Sequence, residues 1–208
     1  MNIHSVTLAA VSRRDQTAGP KRDVILRAAI DVFADRGYFN AQVADVARAA
    51  GVAAGTVYLY FKSKDDLLVS IFERSMRDGL ALGRAAVAGL DDPSERLRRL
   101  ARGHLARLGA DRNLAIVFQV ELRQSTKFME RFSSTLLRDY LGLIREAIAD
   151  GQRAGVFRAD LKATAAAKLL FGALDEMATN WILSRRRYSL EADADPVVDL
   201  FLNGARAR

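Results

Sequence analysis

The sequence predicts an all-α fold of nine helices, with a small helix-turn-helix module in front of a larger helical domain. Apolar residues recur at helical spacing along most of the chain, and no segment alternates as a half-buried strand does. Glycines and Asp-Pro pairs separate the helical segments. Half of the 208 residues are apolar and 27% are charged, which is the balance of a globular protein.

Stop and start signals set the bounds of the front helices. Gly37 ends the first helix, and Gly51 tolerates the positive φ of a tight turn between the second and the third. Ser63 opens the fourth helix, because a serine followed three residues later by Asp66 forms a capping box. These helices are predicted over residues 21–36, 41–49, 53–60 and 63–88, after a flexible arm over residues 1–20.

Similar signals divide the rest of the chain. Asp92 opens the fifth helix, because aspartate caps free N–H groups and the proline after it suits the first helical position. Gly151 and Gly155 close the seventh helix, Asp160 opens the eighth and Asp195 the ninth. These five helices are predicted over residues 93–108, 111–123, 127–150, 160–184 and 195–203.

Composition excludes several classes of function. The chain has no cysteine, and its two histidines, His4 and His104, are too few and too distant for a zinc enzyme or a Ser-His-Asp hydrolase. We therefore expect no catalytic residue, no metal and no cofactor. The apolar runs are too short for a membrane span, and the N-terminus lacks the charged region of a signal peptide. A cytoplasmic location is expected.

The charge of the chain points to an anionic partner. The net charge is +7, and residues 1–64 hold nine Lys or Arg against five Asp or Glu. The density of positive charge is therefore higher in the first third than in the remainder. The basic arm, with Arg13, Arg14, Lys21 and Arg22, either reaches DNA phosphates or the minor groove, or stays a solvated tail.

The two short helices around Gly51 have helix-turn-helix spacing. Thr56 offers a hydroxyl to a phosphate and a methyl group to thymine, while Tyr58 and Tyr60 offer hydroxyls to phosphates at the groove edge. Lys64 adds charge at the start of the next helix. The alternative is a helical hairpin whose tyrosines lie half-buried in the core. In the DNA-binding interpretation, the core residues of this helix are Val57 and Leu59.

Two front segments carry a family resemblance. Residues 25–38 read ILRAAIDVFADRGY and residues 46–68 read VARAAGVAAGTVYLYFKSKDDLL, which resembles the N-terminal domain of TetR-type repressors. The resemblance implies an all-helical homodimer, a DNA-binding domain over residues 21–64 and a ligand-binding and dimerisation domain over residues 65–208. Many members have threonine where Gln42 stands. The implied DNA contacts are Gln42, Ala54, Gly55, Thr56, Tyr58, Tyr60 and Lys64.

Two rear segments extend the resemblance. Residues 111–124 read DRNLAIVFQVELRQ and residues 171–183 read FGALDEMATNWIL, which are similar to the fatty-acid-degradation regulators of the TetR type. The effector class of those regulators is long-chain acyl-CoA. Rival interpretations are a TetR-type repressor of a drug, an antibiotic or an acyl lactone, an enzyme acting on acyl-CoA, and a lipid-binding helical protein that does not bind DNA.

The candidate ligand residues combine apolar stripes with cations. An acyl chain needs an apolar lining, as a core does, and arginines and lysines bind phosphates unless they only form a solvated face. Buried polar residues in the central helix either line the pocket or bond to neighbouring helices. The candidates are Val117, Val120, Glu121, Arg123, Lys127, Arg131, Leu137, Tyr140, Leu141, Ile144 and Asp175.

The last two helices are predicted to form the dimer interface, as a four-helix bundle around a two-fold axis. The short terminal helix has more apolar surface than an isolated element can leave exposed. The predicted interface residues are Leu170, Leu174, Met177, Trp181, Val198 and Phe201. Two such protomers would place their recognition helices in successive major grooves of a pseudopalindromic operator, about 34 Å apart.

Overall fold

The computed structural model describes residues 3–124, 135–184, 186 and 188–206, with the backbone alone for residues 3–18 and 124. This part of the chain holds nine α-helices and no β-strand, and an isolated backbone bridge joins Phe157 to Arg206. The helices are α1 Ile3–Arg36, α2 Val43–Ala49, α3 Ala54–Tyr58, α4 Lys64–Val87, α5 Pro93–Ala110, α6 Arg112–Ile116, α7 Thr135–Arg153, α8 Ala163–Leu183 and α9 Ala194–Ala205. The predicted all-α class is confirmed.

The chain divides into two compact units, Met1–Ile71 and Phe72–Arg208. The boundary falls within α4, which therefore contributes residues to both. No helix of the described ranges is both long and apolar enough to cross a membrane.

Helix α1 begins at Ile3, not at Lys21 as predicted. Residues 3–18 contain neither glycine nor proline, so the local sequence has no signal that ends a helix there. Pro20 lies inside the helix. Gly37 has a φ of 75° and ends α1, as expected for a glycine that follows a helix.

The core of the first unit joins α1, α2 and α3. Val46 and Ala47 of α2 are buried, and Gly51 takes a φ of 65° in the turn to α3. Val57 is fully buried, as predicted. Leu59, which was also predicted to be buried, is 81% exposed, and Phe61 occupies the core instead. Residues 57 and 61 are four apart and share a face of the turn, whereas residue 59 points away from it.

Side-chain caps open several helices where the sequence places them. Asp92 accepts a hydrogen bond from the Ser94 N–H at 2.8 Å, and Asp111 accepts one from the Leu114 N–H at 3.0 Å. Ser63 Oγ accepts from the Asp66 N–H at 3.1 Å at the start of α4. These bonds satisfy N–H groups that have no partner within the helix.

Other boundaries differ from the prediction. Helix α7 continues through the buried Gly151 and ends at Arg153, before Gly155 with its φ of 71°. Asp160 does not open α8, because its carboxylate pairs with Arg158 at 2.9 and 2.6 Å. A 3₁₀ turn, Leu190–Asp193, precedes α9.

The segment after α6 is not a regular α-helix. Residues Val117–Glu121 form a π-helical turn and Leu122–Gln124 a 3₁₀ turn. A π turn holds one more residue than an α turn, because its hydrogen bonds run from i to i+5. Side chains on this segment therefore leave the spacing that an α-helix would give them.

Candidate functional site

The surface of α3 carries most of the residues predicted to contact DNA. Ala54 and Gly55 are exposed at its start, and the Tyr58 side chain is also exposed. Thr56 and Tyr60 are partly exposed. The hydroxyl groups and the small residues are thus available on one short helix, which is what a recognition helix requires.

Gln42 lies exposed immediately before α2. Its backbone N–H donates to the Asp45 carboxylate at 3.1 Å, and Asp45 also pairs with Arg36 at 2.8 Å. The backbone hydrogen bond and the neighbouring arginines Arg36 and Arg48 lower the pKa of Asp45. These contacts fix the start of α2 and leave the Gln42 side chain at the surface.

Lys64 lies at the start of α4, as predicted, but its ammonium group is engaged by the protein itself. Its ammonium group donates to the carbonyl oxygens of Tyr38, Phe39 and Ala41 at 2.8, 3.1 and 2.9 Å. It also lies 4.6 Å from the centre of the Tyr38 ring. A lysine has three N–H donors, so Lys64 binds a phosphate only by giving up one of these bonds. Its position indicates that it holds the connection between α1 and α2.

Leu59 extends the exposed surface that follows α3. This large apolar side chain lies between Tyr58 and Tyr60 in the sequence and is exposed. Apolar side chains contact thymine methyl groups in the major groove. Sequence reasoning assigned Leu59 to the core and missed its exposure.

The second unit contains a cavity of about 280 Å³. Its wall is mainly apolar and is built from four helices and the segment after α6. The lining residues are Ser75, Met76, Gly79, Leu82, Gly83 and Ala86 of α4, Arg99, Leu100, Gly103, His104, Arg107 and Leu108 of α5, Phe118, Gln119 and Arg123 after α6, Tyr140 of α7, and Phe171 and Asp175 of α8.

Glycines shape two walls of this cavity. Gly79 and Gly83 are four residues apart and share a face of α4, while Gly103 belongs to α5. A Cβ atom at Gly83 would lie 3.0 Å from Leu143 and 3.3 Å from Leu100, whereas one at Gly103 would meet no atom within 4 Å. A glycine inside a helix costs about 1 kcal/mol relative to alanine. The glycines lower the stability of their helices, but Gly83 allows close packing against its neighbours and Gly103 leaves space open.

Arginine side chains supply the positive charge of the cavity wall. Arg107 donates to the Ser75 hydroxyl and forms no ion pair within the described part of the chain. Burial is the main cause that lowers the pKa of Arg107. Arg123 pairs with Asp175, which also accepts from Gln119 Nε2 at 2.7 Å. Arg99, also in the wall, pairs with Glu95 at 2.7 Å. Among the described residues, the wall thus has one arginine without a carboxylate partner and two that are paired with carboxylates.

Three of the predicted ligand residues line the cavity, namely Arg123, Tyr140 and Asp175. The structure brings them together from the 3₁₀ turn, α7 and α8. Lys127 and Arg131 lie outside the described residues.

The remaining predicted ligand residues do not line this cavity. Val117, Glu121 and Ile144 are buried in the protein core. The π turn explains the first two, because it directs Phe118 and Gln119 to the cavity instead. Val120 is partly exposed and also lies off the cavity wall. A separate groove of α7 and α8 is lined by Leu137 and Leu141.

The predicted dimer interface needs a correction. Leu170, Leu174, Trp181 and Val198 are buried within the protomer, so they are not available to a partner. Leu170, Leu174 and Trp181 recur at helical spacing on the inward face of α8, and Val198 faces inward from α9. Met177 and Phe201 are partly exposed and remain candidates.

The outward face carries other apolar side chains. Leu169 and Leu183 of α8 are 69% and 72% exposed, and Leu200 of α9 is 78% exposed. Leu169 and Leu183 are fourteen residues apart, a spacing that puts them on the same face of α8. The structure therefore contradicts four of the predicted interface residues, and pairing of the protomers through the last two helices stays a prediction.

Two signals in the sequence point to cavity residues that we did not predict. Gly79 and Gly83 at i and i+4 indicate a helix face that must stay narrow, and Gly103 is a third glycine inside a predicted helix. From the sequence, His104 was considered only as a possible catalytic residue. It lies in the cavity wall next to Gly103.

The comparisons with known proteins define the class to which these sites belong. Residues 25–71 match bacterial regulatory proteins of the tetR family, and residues 72–204 match the C-terminal region of YsiA-like proteins. The chain belongs to the TetR family of bacterial regulators.

Within this family, the chain is similar to regulators of fatty acid metabolism. It is 35% identical over 185 residues to the fatty acid metabolism regulator protein of Bacillus subtilis, covering 89% of this chain and 95% of that protein. The structure of the fatty acid degradation regulator FadR from Bacillus halodurans matches with a TM-score of 0.83 and 40% identity, over 89% of this chain and 100% of that one. The structure of FadR from Bacillus subtilis in complex with stearoyl-CoA matches with a TM-score of 0.84 and 34% identity, over 88% and 98%. The resemblance drawn from the two rear segments is confirmed.

Proposed function

We propose that this protein is a homodimeric transcriptional repressor that controls fatty-acid degradation genes and leaves its operator when it binds a long-chain acyl-CoA. The observation that carries the proposal is the apolar cavity of about 280 Å³ in the second unit. The Bacillus subtilis relative that binds stearoyl-CoA supports the class of ligand.

The chemistry of the cavity fits an acyl-CoA. Apolar residues such as Met76, Leu100 and Phe118 suit an alkyl chain, whose burial contributes about 0.8 kcal/mol per methylene. Arg107 has no carboxylate partner among the described residues and is suited to a phosphate of coenzyme A. Arg99 is already bonded to Glu95 at 2.7 Å, and Arg123 to Asp175. Arg99 and Arg123 are weaker candidates for binding a phosphate, because the phosphate would have to displace the carboxylate that each already binds.

The operator contacts follow from the exposed surface around α3. Gly55 and the hydroxyls of Thr56 and Tyr58 would approach bases and phosphates in the major groove, with Leu59 against a thymine methyl group. A dimer with a two-fold axis requires two half-sites about 34 Å apart, hence a pseudopalindrome. The outward leucines of α8 and α9 are the surface through which we expect the protomers to pair.

Release from DNA requires that the ligand prefer one of two conformations. Helix α4 starts at Lys64 in the DNA-binding unit and supplies six residues to the cavity wall. A ligand that favours one position of α4 therefore changes the population of the DNA-binding form. Binding and release suffice for this function, and no bond of the ligand has to be broken.

The test is an operator-binding assay on the promoters of fatty-acid degradation genes, measured by fluorescence anisotropy. Palmitoyl-CoA should lower the fraction of bound DNA, whereas coenzyme A alone and palmitate should leave it unchanged. Specific binding with no response to palmitoyl-CoA would refute the effector and leave the repressor. Absence of specific binding to any of these promoters would refute the proposed target genes.

A further inference from the structure

A polar pair lies within the otherwise apolar wall of the cavity. The hydroxyl of Tyr140 is 3.3 Å from His104 Nδ1, and Phe171 lies edge-on to both rings. All three residues line the cavity. The pair is distinct from the network of Gln119 and Asp175.

Burial sets the protonation of this pair. It lowers the pKa of His104 to about 4, with Arg107 acting in the same direction and the Asp175 charge opposing it. Burial also raises the pKa of Tyr140. Both side chains are therefore neutral at pH 7, and the imidazole carries one proton.

The hydrogen bond identifies the nitrogen that holds this proton. Within the described part of the chain, His104 Nδ1 is the one hydrogen-bond partner of the Tyr140 hydroxyl. The hydroxyl proton needs an acceptor and Nδ1 lies within reach, so we infer that Tyr140 donates and that Nδ1 accepts. The imidazole proton then lies on Nε2, which becomes a donor.

His104 Nε2 is buried and has no hydrogen-bond partner in the described ranges, a property that it shares there with Arg96 Nε alone. A buried donor without an acceptor is destabilising, and such groups are rare enough to need an explanation. Nε2 has almost no solvent-exposed surface, so bulk water does not supply an acceptor either. A ligand oxygen at this point would recover the cost.

We propose that His104, held by Tyr140, donates from Nε2 to the thioester carbonyl oxygen of the bound acyl-CoA. This inference rests on the proposed effector. The thioester carbonyl lies where the apolar chain joins the polar remainder of the ligand. On α5, His104 lies one helical turn from the apolar Leu100 and one turn from the cationic Arg107, in a wall that also carries Arg99 and Leu108.

The test compares two ligands that differ only at the carbonyl. Palmitoyl-CoA and its thioether analogue S-hexadecyl-CoA, in which a methylene replaces the carbonyl, are titrated calorimetrically. One recovered hydrogen bond of about 1.4 kcal/mol predicts a tenfold preference of the wild-type protein for the thioester. The double variant His104→Phe, Tyr140→Phe should bind both ligands with the affinity that the wild type shows for the thioether.

A control variant keeps the pair intact. Thr179→Val removes the hydrogen bond of 3.2 Å from Thr179 to Gln119 and should keep the tenfold preference. Equal affinity of the wild type for both ligands, or a preference that survives in the double variant, would overturn the role of His104 and leave the acyl-CoA effector in place. Failure of the wild type to bind either ligand would refute the effector itself, and this inference with it.

A second measurement does not depend on the folding of a variant. The chain has two histidines, so ¹⁵N-histidine labelling gives a spectrum with two imidazoles to assign. We expect a proton on His104 Nε2 and a shift of that nitrogen resonance with palmitoyl-CoA but not with the thioether. A resonance that responds equally to the two ligands would contradict the hydrogen bond to the carbonyl.

Discussion

Replacing Gly103 by leucine should separate ligand binding from every other property of the protein. Gly103 lines the cavity, and a Cβ atom there meets no heavy atom within 4 Å. A Cβ atom at this position therefore displaces no protein atom, and we expect the rest of a leucine side chain to enter the space in which we place the acyl chain. Helix α5 also gains, because glycine inside a helix costs about 1 kcal/mol relative to better helix formers.

The size of the effect follows from the volume exchanged. The isobutyl group displaces three to four methylenes of the ligand by rough count, at about 0.8 kcal/mol each, which amounts to about 3 kcal/mol. That energy corresponds to a loss of about 100-fold in affinity for palmitoyl-CoA. The gain in helix stability should raise the melting temperature of the ligand-free protein by about 2–4 °C.

Calorimetry with palmitoyl-CoA and operator anisotropy measure the two consequences. Gly103→Leu should bind the operator as the wild type does and stay bound at palmitoyl-CoA concentrations that release the wild type. Gly142→Leu is the matched control. This α7 glycine also has open space around it, but it lines the separate groove of α7 and α8 and not the cavity. Wild-type affinity for palmitoyl-CoA in Gly103→Leu would refute our placement of the acyl chain.

Three further predictions concern packing, pH and DNA. Gly151→Ala should destabilise the protein by about 2–3 kcal/mol in urea unfolding, because the new Cβ would overlap the buried Phe157 ring, whereas Gly142→Ala should not destabilise it. Burial lowers the pKa of His104 from 6.5 to about 4, so His104 is neutral in the folded protein. Its contribution to the free energy of unfolding should therefore be complete above pH 6.5 and fall by roughly 3 kcal/mol as the pH decreases to 4. The difference in unfolding free energy between wild type and His104→Phe should track that loss, and a pH-independent difference would contradict it. Tyr58→Ala should weaken operator binding at least tenfold without changing palmitoyl-CoA affinity, and unchanged operator affinity would remove Tyr58 from the interface.

The DNA-binding unit was predictable because local signals determine it. Gly37 and Gly51 adopt the positive φ that their places at helix ends and turns imply, and Val57 is buried as its spacing requires. Leu59 was misassigned because alternation along so short a helix does not distinguish its faces. Burial of Phe61, four residues after Val57, gives the correct face.

The second unit was less predictable, because its helices are apolar on more than one side. In α8, Leu169 and Leu170 are adjacent in the sequence, yet one is exposed and the other buried. Periodicity alone cannot choose between two apolar stripes, and the choice depends on the helices that pack against α8. Part of the cavity exists because Gly79 and Gly103 have no side chain to fill it, and a search for apolar residues does not find such positions.

The π turn at Val117–Glu121 has a consequence for insertions and deletions. A turn with one residue more than an α turn can lose that residue and become α-helical, while α6 before it keeps its register. Deleting one residue there should therefore be tolerated, although a deletion inside a regular helix such as α5 rotates all following side chains by about 100°. Such a deletion would bring different side chains to the positions in the cavity wall that Phe118 and Gln119 now occupy. Chain length in this segment is thus a means of changing ligand preference without rebuilding the fold.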